Sequence, residues 1–108
     1  MSIDNIEIID FIGTAEDKNE VILTISDHLD WKYKMEHLLR LQAKINAYLD
    51  FIENEEIYDQ YPNSKGKKLI IEVVGKYNIP RDEKIREFFE KVEKLLGSLN
   101  ISLSFKKL

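Results

Sequence analysis

Between Trp31 and Ile52 the residues Trp31, Met35, Leu38, Gln42, Ile45, Leu49 and Ile52 recur at alternating steps of four and three, all but one of them apolar. Leu41 and Tyr48 widen this stripe on one side and Leu39 on the other. That is the spacing of a helix that buries one face. At 1.5 Å rise per residue the run would be about 33 Å long, so everything else is short enough to pack against it. The polar stretch Ser26-Asp27-His28-Leu29-Asp30 reads as the helix entrance, with Asp30 the preferred N-cap and Ser26 or Asp27 the alternatives. Beyond Ile52, Glu53-Asn54-Glu55-Glu56 puts negative charge at the negative end of the helix. A break near Asn54 is expected, then a short helical turn through Ile57 and Tyr58 up to Tyr61, ended by Pro62.

The rest of the pattern is mostly strand. Residues 6–12 (IEIIDFI) read as a strand with apolar residues on both faces, so its register stays open. Residues 13–19 (GTAEDKN) read as a polar connection, and Val21 to Ile25 as a second strand, which together make a hairpin. Lys68 to Tyr77 (KLIIEVVGKY) is a third strand, with Leu69, Ile71 and Val73 on one face and Ile70 and Val74 on the other. Pro80 opens a second helix striped by Ile85, Phe88, Phe89, Val92, Leu95 and Leu96, and Gly97 is placed to stop it. Leu99, Ile101, Leu103 and Phe105 then alternate with polar residues, the pattern of a half-buried strand. The order is ββαβαβ. The fold class expected is α+β: two layers, a four-stranded sheet with both helices on one face, in one domain over residues 1–108. If the last two strands are parallel neighbours, the helix between them crosses over right-handedly.

Composition narrows the chemistry. The chain of 108 residues has no cysteine, which removes disulfides and thiol chemistry and suits a reducing cytoplasm. The start Met1-Ser2-Ile3-Asp4 has no signal-peptide character, and no apolar run approaches a membrane span. Cytoplasmic localisation is the expectation. The net charge of −4 divides unevenly, −9 over residues 1–61 and +5 over residues 62–108. Such a split can mark a nucleic-acid tail or a head-to-tail contact, but most basic residues after Arg81 alternate with glutamates on a helix, so the charges are expected to interleave on one surface.

Asp27, His28, Asp30 and His37 form the candidate polar site, with the carboxylates and imidazoles that a divalent metal would use. Against this stands their spacing: no HxxxH or HExxH occurs, and aspartates before a helix ordinarily cap it. Ser26 and His28 diverge on a chain leaving a strand, so they do not assemble a hydrolytic triad. No glycine loop for phosphate is present. Neither a catalytic residue nor a cofactor is assigned. Lys65, Lys67 and Lys68 near Tyr58, Tyr61 and Tyr77 are a modest nucleic-acid footprint, opposed by the acidic composition. Ile22, Ile70 and Val74, joined by Ile9 or Phe11, would leave apolar side chains on the sheet face away from the helices. A contiguous patch of that kind marks a contact surface for a partner or a second copy.

The segments IIDFIG (8–13), VILTISDHLDW (21–31), HLLRLQAKINAYLDFIE (37–53) and YPNSKGKKLIIEVVGKY (61–77) resemble a small bacterial family of unknown function. The resemblance implies a single-domain cytosolic bacterial protein of about this length, and it carries over no catalytic residue. The function expected is a non-enzymatic protein-interaction or regulatory module that self-associates or docks a protein partner, without membrane or nucleic acid. The alternative is a small-molecule- or metal-binding domain with its site at the entrance of the first helix.

Overall fold

The computed structural model describes Ile3 and residues 9–108. Strands β1 (Phe11–Ala15) and β2 (Glu20–Asp27) are followed by helices α1 (Lys34–Glu53) and α2 (Glu56–Gln60). Then come β3 (Lys68–Gly75), α3 (Glu83–Ser98) and β4 (Ile101–Lys107). The four strands make one sheet in the order β1-β2-β3-β4. β1 is antiparallel to β2, while β2, β3 and β4 run parallel. This is the expected ββαβαβ fold, with α2 as the short helical turn foreseen before Pro62.

Register explains the layering. Val21, Leu23 and Ile25 lie beside Leu69, Ile71 and Val73, which lie beside Ile101, Leu103 and Phe105. Side chains alternate across a sheet, so these residues share one face. Both helices close over it: α1 contributes Leu38, Leu41, Ile45, Tyr48, Leu49 and Ile52 to the same core, and α3 contributes Ile85 and Leu96. Each such aliphatic side chain stabilises the fold by about 1.5–3 kcal/mol when fully buried. Across the surface of this layer, Lys34 Nζ at the start of α1 reaches Asp82 Oδ2, 3.1 Å away, at the cap of α3.

Four boundaries differ from the pattern. Residues 6–8 of the first expected strand lie outside the described residues; the described strand starts at Phe11 and takes in Gly13, Thr14 and Ala15, which the pattern gave to a loop. The hairpin is closed more tightly than the polar run suggests, by a 3-10 turn at Glu16–Lys18 and by Asn19 at φ 55°. Next, α1 begins at Lys34 with Tyr33 at its N-cap and no side-chain bond there, so Asp30 does not cap it. The Asp30 carboxylate instead accepts the Lys32 amide at 3.0 Å, in the turn leading in. The third difference is at α3, which starts three residues after Pro80, where Asp82 Oδ1 accepts the amides of Lys84 and Ile85 at 2.9 and 3.1 Å. Last, Gly97 lies inside the final turn of α3; Asn100 at φ 60° makes the reversal, and Leu99 stands in the turn rather than in β4.

The buried face of α1 is also rotated from the expected one. Met35 and Leu39 are 59% and 62% exposed, and Gln42 is exposed. Their places on the inner face are taken by His37, Lys44 and Phe51, beside the foreseen Leu41 and Tyr48. Two of these newcomers are ionisable, and they locate the site.

A buried polar seam under the first helix

His37, Lys44 and Tyr48 stand at i, i+7 and i+11, on one line along the inner face of α1. Opposite them lie two carboxylates on the helix-facing side of the sheet: Asp27, the last residue of β2, and Asp10, just ahead of β1. Each carboxylate meets one basic side chain from the helix.

At the carboxyl end of β2, His37 Nε2 is 2.5 Å from Asp27 Oδ2, and both side chains are 2% exposed. His37 Nδ1 is 3.0 Å from the carbonyl oxygen of Asp30. A carbonyl only accepts, so Nδ1 carries a hydrogen, and the imidazole and the Asp27 carboxylate share another between them. Asp27 Oδ1 accepts the Leu29 amide at 3.1 Å. Trp31 stacks on the imidazole with ring centroids 3.7 Å apart, closing it from the loop side. The polar entrance thus folds back on the helix, held by one histidine at three points.

The second knot lies two turns further along α1. Lys44 Nζ is 2.8 Å from Asp10 Oδ1, with the two side chains 0% and 1% exposed. Asp10 Oδ2 accepts the Ser26 amide at 2.9 Å. The Asp10 amide donates to Tyr48 Oη at 2.9 Å, and that hydroxyl donates to the Thr24 carbonyl at 2.5 Å. Burial pushes the Tyr48 phenol well above its ordinary range; the Asp10 amide bonded to it pulls the other way, and the Asp10 charge adds to the rise. Among the described residues no buried side-chain nitrogen or oxygen lacks a hydrogen-bond partner.

Of the four residues of the candidate polar site, the structure brings Asp27, Asp30 and His37 together, Asp30 through its backbone carbonyl. His28 is exposed. Both ring nitrogens of His37 are engaged, and among the described residues no group of three or more histidines, aspartates and glutamates is gathered as a metal would need. Asp10, Lys44 and Tyr48 were missed by sequence reasoning. A lysine at position 44 reads as solvated, although its neighbours on the helix face, Leu41, Ile45 and Tyr48, enclose it on an apolar stripe. That enclosure is the signal that could have found it.

Elsewhere, Ile22, Ile70 and Val74 are half-buried on the sheet face away from the helices. Phe11 belongs to the same face, since it pairs with Thr24, and it is 64% exposed. Its ring lies over Gly13, where an added Cβ would sit 3.2 Å from the ring. In the Lys65–Lys68 loop, the Lys65 ammonium lies 5.9 Å from the Tyr58 ring centroid, so that aromatic face is taken from within. Between α3 and β4 runs an open groove of about 820 Å³. No helix among the described residues is long and apolar enough to cross a membrane.

Comparison with known proteins gives one match: a family of unknown function, DUF6572, whose profile covers residues 1–108. No curated protein and no solved structure matches the chain.

Proposed function

The chain belongs to this family of unknown function, and we propose that it works as a non-enzymatic interaction module that binds a folded protein through the helix-free face of its sheet. The observation that carries the reading is the composition of that face. Phe11 stands 64% exposed beside the neighbouring rows Gly13–Ile22–Ile70 and Ser26–Val74. Glu20 and Lys68 rim the patch at one end and Lys106 at the other, with Glu72 and Ser104 across from Phe11. An apolar centre inside a polar rim is the anatomy of a protein–protein interface. With a net charge of −4, the chain is poorly suited to an anionic lipid surface. The ionisable groups of the seam support the non-enzymatic part, because each is buried and has a hydrogen-bond partner inside the fold. A role as regulator or inhibitor of another protein in the bacterial cytoplasm fits such a surface and the absence of cysteine.

The test compares native wild-type protein with an Ile70→Glu/Val74→Glu variant as bait in lysate of a bacterial host, after circular dichroism shows both folded. The reading expects a protein retained by the wild type, lost by the variant, and bound directly when purified. Identical retention by both baits sinks it.

A further inference from the structure

We propose that the free edge of β4 pairs with the same edge of a second copy, antiparallel about a two-fold axis, joining two four-stranded sheets into one of eight strands. This contact uses a different surface from the helix-free face and stands without it.

β4 is the last strand in the sheet order. The Leu108 amide donates to the Gly75 carbonyl at 2.9 Å, so at Leu108 the backbone polar groups point toward β3. Backbone groups alternate along a strand, which aims those of Ser102, Ser104 and Lys106 the same way and those of Ile101, Leu103, Phe105 and Lys107 outward. The outward set belongs to the residues whose side chains face the helix layer. There the groove begins, with Phe89 of α3 on one side and Leu103 and Phe105 on the other. α3 therefore leaves the outer flank of β4 uncovered.

A strand added at this edge must send apolar side chains into the groove at every second position and polar ones to the other face. β4 is itself such a strand, with Ile101, Leu103 and Phe105 alternating with Ser102, Ser104 and Lys106. Charge selects the direction. The groove flank of α3 carries Glu83 and its one cation, Arg86, toward the start and Glu90 and Glu93 toward the end, with Arg86 3.7 Å from Glu90 of the same helix. A two-fold axis sets the two α3 helices antiparallel, turning Arg86 of each toward the glutamates of the other. It also places Lys106 and Lys107 of the two edges at opposite ends, whereas parallel pairing would set them side by side.

Light scattering on size-exclusion eluates of the full chain, over a dilution series at low salt, reads the association. The wild type is expected at twice the 12.8 kDa of one chain. Arg86→Glu, an exposed position, is expected to weaken the dimer roughly tenfold, the size of turning two equivalent attractive contacts repulsive. Adding Glu90→Arg and Glu93→Arg to Arg86→Glu restores it, and Ile70→Glu on the helix-free face leaves it unchanged. A monomer at every concentration overturns the proposal. So does a dimer that ignores Arg86→Glu, or one that Ile70→Glu dissolves; the last would transfer self-association to the helix-free face.

Discussion

Replacing Lys44 by methionine isolates the energetics of the seam. Methionine nearly preserves the volume of the lysine stem, so the packing against Leu41, Ile45 and Tyr48 is retained and the ammonium alone is lost. What remains is the Asp10 carboxylate, 1% exposed, still accepting the Ser26 amide but without its cation at 2.8 Å. Removing one partner of a buried pair costs about 3–5 kcal/mol, chiefly because the other charge is stranded. At about 4–8 °C per kcal/mol for a domain near this size, the variant should melt more than ~12 °C below the wild type. The second arm is Asp10→Asn/Lys44→Met, in which the side-chain oxygen still accepts the Ser26 amide and no charge is buried. The double variant should be more stable than Lys44→Met alone, by roughly 1–3 kcal/mol, the penalty of the unsatisfied group. Urea titration followed by the fluorescence of Trp31, the single tryptophan, measures all four corners of the cycle. A Lys44→Met loss below about 1 kcal/mol, or a double variant no better than the single, would refute the argument that a stranded carboxylate sets the cost.

Three further outcomes follow from the same structure. His37→Ala should cost about 3–5 kcal/mol in urea, since Asp27 loses its buried partner, and Trp31, unstacked, should change its emission; an unchanged spectrum would contradict the stacking. Tyr48, its pKa raised by burial, favours the folded state fully below the unfolded phenol value of about 10 and loses that contribution as pH climbs toward the folded value. Its phenolate absorbance, read as the wild type minus Tyr48→Phe difference, should therefore appear together with alkaline unfolding and not before. Asp82 is held below the usual carboxyl range by the Lys34 ammonium and the Ile85 and Lys84 amides. Its contribution is present above the unfolded value of about 3.9 and fades as pH falls through the folded one. The stability curve of Asp82→Asn should accordingly be flatter than that of the wild type in that acid window, and a parallel curve would count against the cap.

Much of the fold could be read before the structure. The parity of Leu69, Ile71 and Val73 matched that of Ile101, Leu103 and Phe105, and the stripe of α3 needed a surface to cover. Those features depend on apolar periodicity alone. The face of α1 did not, because His37 and Lys44 belong to it by pairing with carboxylates at the end of β2 and just ahead of β1. No local pattern reports a partner 34 residues away, which is the separation between Lys44 and Asp10. Asp27 and Asp30 misled for a related reason. Capping chemistry was the right kind of bond at the wrong place, since Asp27 serves the Leu29 amide and Asp30 that of Lys32, and the helix starts later than either. Met35 and Leu39 satisfied the periodic rule and still face outward. An apolar step of four and three tolerates rotation of the helix, and the observed rotation is the one that brings His37 and Lys44 to Asp27 and Asp10.

The strand order carries a consequence for how the chain assembles. Each strand lies next to the one before it in sequence, so no strand must be threaded between two already in place. Every partner in the seam, from Asp10 to Tyr48, is supplied before β3 begins at Lys68. The hairpin and α1 can therefore be fastened to each other while the rest of the chain is still unpaired. The shorter loops to be closed make this the entropically favoured place to start. On that order β3 and β4 would add one at a time to an edge already aligned by the buried Asp27–His37 and Asp10–Lys44 contacts, with the seam as the template for the parallel half of the sheet.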